Sequence, residues 1–188
     1  MRYDAVAIGV SAGGLAALAR ILGVLPANYP LPIIVVQHRA RDERFLLEEV
    51  LQAKCTIKIR QAEEKEAILP AAVYLAPPDY HLLIEKDHTF SLSYDALVNY
   101  SRPSIDVLFE SAADVYRKKL LGIILTGANS DGTVGMKMIS KCGGYTIAQD
   151  PISAEYPEMP AAAIKTGSIQ KISDLDGIAK YLLDLVKN

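Results

Sequence analysis

Nearly continuous apolar runs of strand length occupy residues 3–10, 32–37 and 120–125, and the stretches between them carry apolar residues at helical spacing. A run that is apolar at almost every position has no polar face to turn to water, so it belongs in a sheet covered on both sides. Strands of this kind alternating with helices predict an α/β fold: a doubly wound, mainly parallel sheet with helices on both faces. A helix is expected after Gly13 and Gly14, through Leu15, Leu18, Leu22 and Leu25, ending before Pro26. Others follow through Phe45, Leu47, Val50 and Leu51, from an N-cap at Ser104 through Ile105, Leu108, Phe109, Ala112, Val115 and Tyr116, and over residues 133–140 and 174–186. Residues 144–148 read as a strand. Residues 56–94 hold short strands separated by turn residues, so part of the sheet is expected to be antiparallel there, with a polar-tipped hairpin over residues 83–90. No repeat or interdomain linker interrupts the pattern, and residues 1–188 read as one domain.

Twenty Lys+Arg stand against 22 Asp+Glu, a net charge of -2, which gives no bulk attraction to nucleic acid or an anionic membrane. No apolar run approaches the roughly 18 residues of a membrane span, and Asp4 interrupts what would be a signal-peptide core. Neither membrane insertion nor nucleic-acid binding is expected. Cys55 and Cys142 show no metal-binding or disulfide-framework spacing, which fits a reducing, cytoplasmic setting. His38, His81 and His88 lack the spacing of a metal site, so no metal and no cofactor is expected.

In an open α/β sheet, ligands bind beyond the carboxyl ends of the strands. Three strand ends carry reactive residues: Gly9-Val10-Ser11-Ala12-Gly13, Gln37-His38-Arg39, and Thr126-Gly127-Ala128-Asn129-Ser130-Asp131-Gly132. The first fits G-x-S-x-G, in which a strand-to-helix turn presents a nucleophilic serine. It also fits a phosphate-binding turn in which Ser11 only bonds a ligand oxygen, although the second strand ends in His38 and not in an acid suited to a ribose. Adjacent strands would bring Ser11 and His38 within reach, letting His38 act as general base. Asp131 could orient the other ring nitrogen, or could simply cap a helix. His81 reads as structural and His88 as a solvated turn residue. Arg39 and Arg41 could steer an acidic partner or be solvated helix-start residues.

At these positions the chain resembles the catalytic domain of chemotaxis protein-glutamate methylesterases, the CheB family. The likeness extends through Tyr74-Leu75-Ala76-Pro77-Pro78-Asp79-Tyr80-His81-Leu82, Ser101-Arg102-Pro103-Ser104-Ile105-Asp106, Ala148-Gln149-Asp150-Pro151 and Met159-Pro160-Ala161-Ala162-Ala163-Ile164. It implies hydrolysis of glutamyl methyl esters on chemoreceptor helices, with deamidation of glutamines in some members. Ser11 would be the nucleophile, His38 the base and Asp131 its partner, with the backbone N–H groups of Ala12 and Ala128 as oxyanion donors. Asn129 stands where the family usually has Gly, so the loop must avoid a positive φ or use asparagine's tolerance of one. Full-length members carry an N-terminal receiver domain, whereas this chain starts at the first catalytic strand, which suggests a stand-alone domain. Two other readings remain: a nucleotide- or phosphate-binding module built on residues 9–14, and a catalytically idle signalling scaffold.

Overall fold

A computed structural model describes residues 2–39 and 46–186. In chain order the elements are β1 (Ala5–Val10), α1 (Gly14–Leu22), β2 (Ile33–Gln37), α2 (Leu46–Gln52), β3 (Lys58–Gln61), β4 (Ala72–Leu75), β5 (His81–Ile84), β6 (Phe90–Ser93), α3 (Ile105–Tyr116), β7 (Leu120–Ile124), α4 (Thr133–Lys141), β8 (Tyr145–Gln149), α5 (Glu158–Lys165), β9 (Lys171–Ser173) and α6 (Leu175–Asp184). Seven strands form one sheet in the order β3-β4-β2-β1-β7-β8-β9. Every neighbouring pair in it is parallel, with Val10 opposite Gln37 and Gly9 opposite Ile124.

The apolar runs are continuous because each strand feeds two cores. Val6, Ile8 and Val10 share one with Ile33, Val35, Leu121 and Ile123, and with Leu18, Ile21 and Leu22 of α1 and Ile178 and Leu182 of α6. Ala5 and Ala7 turn the other way, toward Ile105, Leu108, Phe109 and Ala112 of α3 and Met136 and Ile139 of α4. The side of β1 facing α3 is made of small residues, which lets the helix come close. A Cβ built on Gly9 would stand 2.3 Å from Ile105 Cγ2.

Several details depart from the sequence reading. β3 and β4 join the large sheet in parallel, and the antiparallel pairing is confined to β5 and β6, which form a two-stranded sheet of their own. The hairpin lies over α3, with Leu82, Ile84 and Phe90 in the second core. The first helix ends at Leu22; Leu25 is buried beyond it and Leu15 is 42% exposed. α5 and β9 have no counterpart in the periodicity reading. Phe45 and Arg41 lie outside the described residues.

The position of β1 sets the site. The chain builds β2, β3 and β4 on one side of β1, then returns through α3 to place β7 on the other. The order therefore reverses at β1, and the crevice at its carboxyl end is where an open α/β sheet receives ligands.

Candidate active site

Ser11 follows β1 directly. Its N–H donates to Thr126 O at 3.0 Å, and its carbonyl accepts from Gly14 N–H at 2.9 Å and from the Gln37 side-chain amide at 2.9 Å. The positive φ in this turn falls on Gly13 (75°), so Ser11 keeps an ordinary backbone conformation. The two glycines of G-x-S-x-G thus act differently: Gly13 turns the chain and Gly9 admits α3.

His38 extends the β1–β2 ladder by one bond, its N–H donating to Val10 O at 3.1 Å, while the Gln37 amide also holds His38 O at 2.9 Å. The imidazole therefore stands beside Ser11. Nδ1 lies 3.2 Å from Ser11 Oγ and Nε2 lies 2.8 Å from Asp131 Oδ2. An ionised Asp131 can only accept, so Nε2 carries the hydrogen and Nδ1 keeps its lone pair toward the serine hydroxyl.

Asp131 is fully buried. Its Oδ1 accepts from Asn99 Nδ2 at 3.0 Å, Ser104 Oγ at 2.9 Å, Asp106 N–H at 3.2 Å and Gly132 N–H at 3.0 Å; Oδ2 accepts from Ile105 N–H at 2.7 Å besides His38. Burial alone would raise its pKa, but the bonds from His38, Asn99 and Ile105 outweigh it and hold the carboxyl down at about 2. The helix whose start Asp131 serves is not the one that follows it in sequence. Asp131 caps the start of α3, while Ser104, expected to cap α3, turns its hydroxyl to Asp131 and makes no cap bond of its own.

Asp106, in the first turn of α3, accepts from Gly135 N–H of α4 at 2.7 Å and from Asn99 Nδ2 at 2.9 Å. Each helix start is therefore closed by an acid from the other's neighbourhood, and Asn99 donates to both acids. Burial, reinforced by the charge of Asp131, pushes the Asp106 pKa up to about 6. A carboxyl with a raised folded-state pKa costs stability as pH climbs from its unfolded value near 4 through about 6. We therefore expect the melting temperature of Asp106→Asn relative to the parent to be higher at pH 7.5 than at pH 5. The corresponding change in relative unfolding free energy should be about 1–2 kcal/mol after allowance for solvent screening. Equal offsets at the two pH values would contradict the assignment.

Ala12 and Ala128 stand at the β1 and β7 ends flanking Ser11, and among the described residues neither N–H is bonded to the protein. The loop ends are locked together. Thr126 N–H donates to Gln149 Oε1 at 2.9 Å and Thr126 Oγ1 donates to Ala12 O at 3.0 Å. Both backbone groups of Gly127 are taken by residues 156 and 159, at 3.0 and 2.9 Å. Asn129 has no positive φ; the loop avoids that conformation. Its Oδ1 accepts Asp131 N–H at 3.0 Å and its Nδ2 lies 3.3 Å from His38 Nδ1. The phosphate reading fares poorly at this turn, because a Cβ on Gly13 would come within 2.9 Å of the Glu155 carboxylate. A phosphate at the start of α1 would meet that charge.

A cleft of about 320 Å³ opens beside the imidazole, lined by His38, Arg39, Leu97, Tyr100, Ser101 and Arg102. Tyr100 is almost wholly exposed at its rim. Arg102 fixes the wall, donating to Asp79 at 2.8 Å and to the carbonyls of Tyr94 and Asp95 at 2.9 and 2.7 Å. Arg39 is neither solvated nor free to steer a partner. Its side chain is 2% exposed, pairs with Glu48 at 2.7 Å and donates to Ala76 O. His81 is buried, with Nδ1 accepting Ser104 N–H at 3.2 Å and Nε2 against Ala96 O at 3.0 Å, so it anchors the approach to α3. His88 is exposed on the hairpin turn, near Tyr116. Asn99 was missed from sequence; it stands apart from every strand end, and no spacing ties it to either acid. Among the described residues no group of three or more His, Cys, Asp or Glu could hold a metal, and no helix is long and apolar enough to cross a membrane.

A family model described as CheB methylesterase matches residues 6–182. "Protein-glutamate methylesterase/protein-glutamine glutaminase 1" of Carboxydothermus hydrogenoformans is 38% identical over 182 residues, covering 94% of this chain and 54% of its own. A Leptospira interrogans protein whose name carries the same two activities is 51% identical over 191 residues, covering 100% of this chain and 97% of its own. Among solved structures, the Thermotoga maritima CheB methylesterase catalytic domain superposes with a TM-score of 0.93 at 32% identity, over 98% of this chain and 100% of that one.

Proposed function

Because the chain belongs to the CheB methylesterase family, we propose that it is a protein-glutamate methylesterase, with protein-glutamine glutaminase activity at the same site. Its residues 1–188 act as one catalytic domain on glutamyl methyl esters of chemoreceptor helices in the cytoplasm. The observation that carries this reading is the hydrogen-bonded line from Ser11 Oγ through His38 to Asp131.

In the mechanism, His38 Nδ1 takes the Ser11 proton as Oγ bonds to the ester carbon. Asp131, held ionised, stabilises the imidazolium through Nε2–H. The oxyanion is received by the N–H groups of Ala12 and Ala128. The C–O bond then breaks, the methoxy oxygen takes the proton from Nδ1, and methanol leaves an acyl-Ser11. Water, deprotonated at Nδ1, attacks the acyl carbon; Ser11 regains a proton and the glutamate is released.

Methanol release from methylated chemoreceptor fragments tests this. Ser11→Ala is expected to abolish release with the melting temperature unchanged, and undiminished release would remove Ser11 from the chemistry. The idle-scaffold reading predicts no serine-dependent release and no labelling of Ser11 by a fluorophosphonate. The nucleotide-module reading predicts binding of nucleotide without either.

A further inference from the structure

The Asn129 amide is in the active site without a part in the scheme above. Its orientation is settled by two bonds: Oδ1 accepts Asp131 N–H at 3.0 Å, which leaves Nδ2 as the group facing His38 Nδ1 at 3.3 Å. Nδ1 is also the atom that Ser11 Oγ approaches, at 3.2 Å. Two donors therefore share one lone pair in the resting site.

That sharing ends once His38 takes the serine proton. Nδ1–H then points at the leaving atom, and the Asn129 N–H loses its acceptor while remaining pinned through Oδ1. The leaving atom must come within hydrogen-bond reach of Nδ1 to take its proton, and Nδ2 lies 3.3 Å from the same Nδ1, so the reaction itself brings an acceptor toward the amide. A methoxy oxygen in the tetrahedral intermediate has two lone pairs, one for Nδ1–H and one for Asn129. The nitrogen of a carboxamide-derived intermediate has a single lone pair, which must face Nδ1–H, and its two hydrogens oppose the amide N–H.

We propose that Asn129 is a specificity-determining residue that favours methyl-ester over carboxamide substrates by donating a hydrogen bond to the departing oxygen. The inference rests on the hydrolase reading above. In the ester reaction the C–O bond breaks and oxygen takes the Nδ1 proton to give methanol; in the amide reaction the C–N bond breaks and nitrogen takes the same proton to give ammonia. Asn129 transfers no proton in either. A hydrogen bond made only as the leaving group departs changes the rate without changing substrate binding.

The test compares one receptor fragment carrying, at the same position, glutamate methyl ester, glutamine or the S-methyl thioester. The thioester is reactive, and its sulfur is a weak acceptor. Because all three substrates give the same acyl-Ser11, the leaving-group bond is read in the acylation step: Asn129→Gly should lower kcat/KM for the oxygen ester about tenfold relative to the thioester and to glutamine. Asn129→Asp keeps an acceptor for Asp131 N–H but replaces the donor by an anion; both absolute rates fall, and the ester-to-amide ratio drops further. A purely structural role for Asn129 would lower all three rates together. Unchanged ratios in both variants, at parental melting temperature, would overturn the proposal. Absence of Ser11-dependent release by the parent from any of the three substrates would instead overturn the hydrolase reading and this inference with it.

Discussion

Asp131→Asn is expected to lower kcat/KM for methyl-ester hydrolysis by about 10³–10⁴ and to lower stability at the same time. The catalytic loss follows from His38. A carboxamide can present its NH2 group to Nε2, which then becomes the acceptor, and the hydrogen moves to Nδ1, leaving no lone pair for the Ser11 proton. The structural loss follows from the other partners of the carboxylate. With its NH2 group turned to Nε2, the carboxamide also sets that group against the Ile105 N–H, which loses its acceptor, while Asn99 Nδ2, Ser104 Oγ and the N–H groups of Asp106 and Gly132 keep an oxygen; the reverse orientation would set the NH2 group against those four donors. A buried donor left without its acceptor costs about 1–3 kcal/mol, and a loss of that size is expected. Denaturant unfolding beside Ser11→Ala checks the distinction: the serine variant should stay within about 0.5 kcal/mol of the parent. An Asp131→Asn protein as stable as the parent would show that the α3 start finds other acceptors.

Gly9→Ala should destabilise the protein by about 1–3 kcal/mol, a large effect for one methyl group on a β-strand. The new Cβ would stand 2.3 Å from Ile105 Cγ2 and 3.0 Å from Phe109 Cζ. Ile105 is β-branched and helical, so its χ1 has little freedom to yield, and α3 itself must move. That displacement carries the Ile105 N–H away from Asp131 Oδ2, so esterase activity should fall with stability. Combining Gly9→Ala with Ile105→Ala separates this from a general loss of strand propensity. The double variant should be more stable than the two single penalties summed would give, by about 1 kcal/mol or more. Strict additivity of the unfolding free energies would show that Ile105 is not what the new methyl meets.

The parallel core was legible because β1, β2 and β7 are buried on both faces, and burial of that kind leaves a continuous apolar run. Ser11, His38 and Asp131 could be placed together because strand ends converge at the reversal of strand order. What escaped the sequence has physical reasons. β9 is three residues long, and its Ile172 is 50% exposed, so no hydrophobic pattern marks it. α5 contains Pro160 near its start, which reads as a break although a first turn tolerates it. Arg39 and Glu48 meet only because the chain after β2 returns along the sheet, so Arg39 looked like a surface charge. Asn99 reaches both buried acids through tertiary structure alone.

The exchange of acids between the two helix starts bears on how such a protein could change over time. On the triad proposed above, loss of Ser11 or His38 would silence the chemistry and leave the helices with their acceptors. Loss of Asp131 would silence it and also open the first turn of α3, which packs on β1 through Ile105. Descendants that abandon hydrolysis are therefore expected to shed the serine or histidine first and keep the aspartate under selection for folding alone. Retention of Asp131 in a related sequence consequently testifies to an intact scaffold, while Ser11 and His38 are the positions that report whether hydrolysis survives.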